Sequence, residues 1–164
     1  MPALTWDEIC ADRSLVDLPY KIETNRYGQI VMSPAKFWHS SRQGLIAHLL
    51  GELGSQGMGS TETAIETTEG VKVAGVAWAT RAFFHTHKDE SALSAAPSVC
   101  VEVLSDSNTT PEMEAKILLY FAYGAEEVWL CHDDGRMTFH ISPTVTVPAS
   151  QLFPEFPCVV GADV

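Results

Sequence analysis

The sequence predicts a mixed α/β domain: a central mixed sheet flanked by helices, with a β-hairpin near the N-terminus. Three observations lead there. Residues 97–136 read as an apolar strand, a polar turn, a helix, a second strand and a further turn, the order of a βαβ crossover. KIETNR and QIVMSP, extended on either side of Tyr27-Gly28, give a hairpin. Between the two, leucines recur at helical spacing and are followed by two strand-like runs. At 164 residues the chain fits a single domain, 1–164, able to bury roughly two-thirds of the surface its unfolded form exposes.

Composition narrows the class. The hydrophobic fraction is 46% and the charged fraction 19%, so the disorder signature of sparse apolar residues and dense charge is absent. The four cysteines show no CxxC spacing, and Cys100 and Cys131 fall in apolar runs where a thiol acts as a small hydrophobe; they read as reduced, in a cytoplasmic protein. No run of apolar residues is long enough for a membrane span, and the N-terminus lacks the pattern of an export signal. A formal net charge of −11 opposes polyanions at long range, so any contact with DNA has to be local, metal-assisted or shared between subunits. The same charge also serves solubility alone.

Taken in order, residues 4–15 suit a short helix and the hairpin follows. In its first strand Glu23 lies on the face opposite Ile22, where a carboxylate is ordinarily solvated. Residues 37–53 form an amphipathic helix with Leu45, Ile46, Leu49, Leu50 and Leu53 on its apolar side. His39 and Gln43 are four apart on it and share a face, the usual position of solvated polar residues. STETAIETT and VKVAGVAWATRAFF, joined at Glu69-Gly70, read as an antiparallel pair. Gly75 interrupts the second of these, as at a bulge or a close backbone approach. His85 and His87 read as loop histidines, and THKDESALSAA as a mobile connection.

SVCVEVLS is apolar on both faces apart from Glu102, which marks a central strand. A carboxylate there requires a partner: it is neutralised, binds a cation, or forms a salt bridge to an arginine elsewhere in the chain. Thr109, Pro111 and Glu112 give a capped helix start, and the helix runs to Gly124 with Lys116 as its only basic residue. Lys116 can pair with Glu112 at i, i+4 as a surface ion pair, or turn inward toward Glu102. EEVWLCH, the Asp133-Asp134-Gly135 turn and RMTFHIS complete the sheet, and a proline-punctuated segment leads to a frayed tail at 161–164.

The ordered set KIETNRYGQIVMSP, His39 and Gln43, CVEVLSDSN, Lys116 and Tyr120, GAEEVWL and SQLFPEFP resembles the Uma2 family of the PD-(D/E)XK nuclease superfamily over about residues 18–160. The resemblance implies a restriction-endonuclease-like sheet and a Mg²⁺ site, with Mn²⁺ as a substitute, in which acids on neighbouring strands hold the metal and a lysine assists phosphodiester hydrolysis. It makes Glu102 the acid of the E-x-K element, with Leu104 at the lysine position and Lys116 as the displaced lysine. Glu23 becomes an auxiliary metal ligand; Gly75, His39, Gln43 and Tyr120 line the site.

One position departs from the pattern. Gly75 stands where the family carries the aspartate that is its principal metal ligand. The expectation is therefore a DNA endonuclease with weak or lost activity or, alternatively, an inactive nuclease-fold binding or assembly module, in either case as a homodimer.

Overall fold

The computed structural model describes residues 2–161, and the frayed tail expected at 161–164 lies, after Gly161, outside them. The first helix, α1 (Trp6–Ala11), is shorter than the expected 4–15; a capping box between Thr5 and Glu8 starts it. The hairpin β1 (Tyr20–Thr24) and β2 (Ile30–Pro34) forms a separate two-stranded antiparallel sheet. Helix α2 (Phe37–Leu53) follows.

The main sheet has six strands in the order β3-β4-β5-β6-β7-β8: β3 (Gly57–Thr67), β4 (Gly70–Thr80), β5 (Val99–Val103), β6 (Glu127–Cys131), β7 (Met137–Ser142) and β8 (Val145–Val147). Among the described strands only β5 and β6 pair in parallel, joined by α4 (Thr110–Ala122), so the sheet is mixed and the βαβ unit lies at its centre. All five residues of β5 are buried, as expected of a strand covered on both faces. One face packs against α2 and the C-terminal segment through Ile46, Leu50, Trp78, Val101, Trp129 and Phe153. The other packs against α4 and the segment around Leu93 through Ile65, Cys100, Ile117, Tyr120 and Val128. Each large side chain buried this way contributes about 1.5–3 kcal/mol.

Two connections differ from the sequence reading. The strand expected to continue through ATRAFF ends at Thr80, whose hydroxyl accepts from the Phe83 N–H and starts the short helix α3 (Arg81–Thr86). His85 is thus helical and His87 caps that helix. The segment expected to be mobile is tied down: Glu90 accepts from the Ser94 N–H and hydroxyl, and buried Leu93 bridges to Ile65.

Gly75 marks an irregularity, as its place in the strand suggested. Thr61 pairs with Val76 and Thr63 with Ala74, while Glu62, directly across from Gly75, drops out of the ladder with a left-handed φ of 49°. Ala74 and Val76 would share a face at strand period two, yet they belong to opposite cores. The alternation breaks at Gly75.

A candidate active site of buried carboxylates and lysines

Helix α4 explains why a lysine enters the protein. Thr109 accepts from the Glu112 N–H, the Glu112 side chain reaches back, and Pro111 lies in the first turn. Met113, Lys116, Ile117 and Tyr120 then form its buried stripe, so Lys116 occupies a core position of an amphipathic helix. Gly124, at φ 111°, ends the run.

The hairpin supplies the other half. The sheet neighbour β5 pairs with β4 only from Val76 to Trp78, which leaves earlier N–H groups of β4 without a strand partner. Side chains of β1 take them: Thr24 Oγ1 accepts from Val71 N at 2.8 Å and Glu23 Oε2 from Val73 N at 2.8 Å. Glu23 is therefore buried rather than solvated. Lys21, two residues earlier on the same strand face, turns inward with it.

These elements converge. Lys116 Nζ donates to Glu23 Oε1 at 2.8 Å and to Glu102 Oε1 at 3.4 Å; the Tyr120 hydroxyl donates to Glu102 Oε1 at 2.6 Å. Lys21 Nζ takes the remaining oxygen, Glu102 Oε2, at 3.3 Å. Lys116 thus pairs inward, and the surface pair with Glu112 does not form. Burial by itself would raise the Glu102 carboxyl, but the Lys116 and Lys21 ammoniums and the Tyr120 hydroxyl outweigh it and hold it down at about 2. Burial would likewise discharge Lys116, and Glu102 and Glu23 outweigh it, raising its pKa. Tyr120 is pushed well up by burial and by the adjacent Glu102 charge, so it stays a donor.

The cluster floors an open cleft of about 390 Å³ lined in part by Lys21, Glu23, His39, Gln43, Glu62, Glu102 and Lys116. His39 reaches the cleft half-buried, with burial lowering its pKa and favouring the neutral ring. Gly75 and Tyr120 stand behind the wall. A Cβ built on Gly75 would lie 2.6 Å from Gln43 Nε2, and that amide donates to Glu62 Oε1 at 2.8 Å. Gln43, itself buried, fills the space that a side chain at 75 would occupy.

Lys21 and Glu62 are the site residues that sequence reasoning missed. Lys21 had a signal: it shares a strand face with Glu23. Glu62 had none, because its approach to the cleft follows from a left-handed residue in a strand, which the pattern STETAIETT does not announce.

A mixed sheet of this topology, with the β5–α4–β6 crossover at its centre and a separate hairpin beside it, is a nuclease-like fold. The comparisons agree: the profile of Uma2, described as "Putative restriction endonuclease", matches residues 13–153, and the chain belongs to that family. Among solved structures the chain is similar to a putative nuclease belonging to DUF820 from Anabaena variabilis, at 16% sequence identity and a TM-score of 0.72, covering 97% of this chain and 96% of that one. At that identity the likeness establishes the fold. No curated protein matches the sequence.

The family implies a divalent metal, and the residues present do not fit one. Mg²⁺ requires oxygen lone pairs in near-octahedral array. Both oxygens of Glu102 already accept from Tyr120, Lys116 and Lys21, and both oxygens of Glu23 accept from Lys116 and Val73. Position 75 offers no oxygen, and Gln43 turns its NH₂ toward it. Among the described residues, no group of three or more His, Cys, Asp or Glu side chains could hold a metal ion.

Proposed function

We propose that this chain is a nuclease-fold protein that has lost phosphodiester hydrolysis and acts as a non-cleaving binding or assembly module. The observation that carries this reading is the occupation of the site by the protein's own donors. Two carboxylates, Glu23 and Glu102, face two ammoniums, Lys21 and Lys116, so the core of the cluster is formally neutral. A hydrolytic site of this family's type needs the opposite: carboxylate oxygens free to hold a cation that activates water.

In this reading Glu102 and Lys116 keep a structural task. They join the hairpin, the central strand and the crossover helix, and they hold the cleft in shape without performing chemistry in it. DNA as a partner, and self-association into a homodimer, remain the two candidate uses of the cleft and its surroundings. The formal charge of −11 disfavours the first at long range.

The test is a supercoiled-plasmid nicking assay with millimolar Mg²⁺ or Mn²⁺. Purified wild type is expected to nick no faster than a mock preparation. Nicking by wild type that disappears in Glu102→Gln contradicts the proposal and restores the enzyme. Sedimentation and fluorescence-anisotropy titration with duplex DNA separate the two module readings.

A further inference from the structure

The cluster explains more than the absence of one ligand. If Gly75 were the sole lesion, Glu102 would present a free oxygen toward the gap, and an aspartate at 75 would complete the pair. Neither condition holds. Glu102 Oε2 accepts from Lys21 Nζ at 3.3 Å, and that lysine side chain is only 11% exposed, so a positive charge is held beside the oxygen instead of swinging in solvent. On the other side the Gln43 amide stands 2.6 Å from where the β-carbon of residue 75 would be, held by its bond to Glu62.

We infer that Lys21 is the built-in counter-cation of Glu102, taking the oxygen a divalent ion would need, and that Gln43, anchored by Glu62, closes position 75. The Lys21 charge therefore stands where a cation would, and the Gln43 amide, the far end of a flexible side chain, has to swing aside before residue 75 can carry a carboxylate, so Gly75→Asp alone does not rebuild the site. This inference rests on the non-hydrolytic reading above and deepens it.

The chemistry sets what relief requires. A lysine ammonium donates in three directions and carries one positive charge; a divalent ion beside it would meet like-charge repulsion as well as the loss of its ligand oxygen. Removing the lysine charge frees Glu102 Oε2 and makes the local charge more negative, both of which favour a hard cation. Shortening Gln43 opens the volume for an aspartate side chain. Opening position 75 without removing Lys21 leaves the oxygen occupied, and removing Lys21 without an acid at 75 leaves too few ligands.

The experiment is Mn²⁺ binding, read by isothermal calorimetry and by loss of the free-ion electron paramagnetic resonance signal. The proteins are wild type, Gly75→Asp, Lys21→Met and the triple variant Gly75→Asp/Gln43→Ala/Lys21→Met, each first shown folded by circular dichroism. The expected result is no saturable site in wild type or either single variant, and one saturable Mn²⁺ per chain in the triple variant. Saturable binding by Gly75→Asp alone overturns the inference, as does a folded triple variant without a site. Binding by wild type that Glu62→Gln abolishes also overturns it, and would mean that Glu62 has replaced the missing acid.

A second measurement on wild type holds even if the variants fail to fold. The Lys21 ammonium, assigned through its own side-chain carbons, should give a protected ¹H–¹⁵N cross-peak that is unmoved by millimolar Mg²⁺. An unprotected Lys21 ammonium, or one shifted by Mg²⁺, overturns the inference. The two layers fail separately: plasmid nicking by wild type removes the non-hydrolytic reading, whereas Mn²⁺ binding by Gly75→Asp removes only the role given to Lys21 and Gln43.

Discussion

Two glutamates are buried on adjacent parallel strands, and the protein satisfies them in different ways. Glu127, on β6, accepts from Trp129 Nε1 and Ser150 Oγ at 2.7 Å each, from Gln151 N at 2.8 Å and from Leu152 N at 2.9 Å. None of those donors is charged. Glu102, on β5, has two lysines and a tyrosine. The first arrangement uses a carboxylate as a clasp for the C-terminal segment, which brings Phe153 against Trp78 and Trp129. The second gathers side chains from two other elements, β1 and α4, around one charge at the floor of a cleft. Burial of a carboxylate is therefore not in itself a mark of chemistry; the kind of partner and the presence of an opening distinguish the two.

The largest test of that contrast is Lys116→Met. It leaves buried Glu23 without its cation and Glu102 with Lys21 alone, and breaking a buried pair in this way costs about 3–5 kcal/mol. Urea unfolding should show a fall of that size, and a loss near zero would mean that the cluster does not hold the hairpin to the sheet. Tyr120→Phe is milder. It removes one hydrogen bond to a charged acceptor and should cost about 1.5–3 kcal/mol with little change in the folded spectrum.

Glu127→Gln sharpens the other side. The amide keeps the volume and one accepting oxygen, but its NH₂ faces two donors it cannot accept from, so the expected cost is about 1–3 kcal/mol. Its signature is local: amide exchange at Gln151 and Leu152 should speed up before the rest of the protein opens. If Glu102→Gln gives the same local effect, the distinction between clasp and cluster fails.

The pH dependence follows from the cluster. Glu102 titrates at about 2 when folded against an ordinary 4.5, so the unfolded chain takes up its proton first. Its contribution is complete above pH 4.5 and is lost as pH falls through the folded value. Lys116 is raised above its ordinary 10.5, so its contribution is complete below that value and is lost only as pH rises past the elevated one. Stability attributable to the cluster should be flat between these limits and decline on the acid side below pH 4.5, a decline that Lys116→Met should flatten in thermal melts across the acid range.

Much of the fold could be read from the chain because local signals agreed with one another. The capping box at Thr109, Pro111 and the glycine at 124 bound α4 on both sides, and the apolar run around Glu102 placed β5 at the centre of the sheet. The pairing of Glu102 was legible only as a need for some partner. The partner expected from a salt bridge was an arginine, and lysines fill that place instead. Lys21 comes from a hairpin that packs against β4 by side-chain caps, a contact that no periodicity encodes. The vacancy at Gly75 was visible in the sequence, but its filling by Gln43 was not, since that depends on where α2 lies over the sheet. ATRAFF was misread because a threonine ending a strand and a threonine capping a helix look alike until the Phe83 N–H is seen to bond it.

The central claim is that Glu102 and the space beside Gly75 are filled by Lys21 and Gln43 and hold no divalent ion. Its most direct test is a crystal of the wild-type protein grown with MnCl₂ and measured near the manganese absorption edge. The account predicts no anomalous peak between Glu102, Glu62 and Gly75, with the Lys21 ammonium in density beside Glu102. An anomalous peak there, with Lys21 displaced, would contradict it.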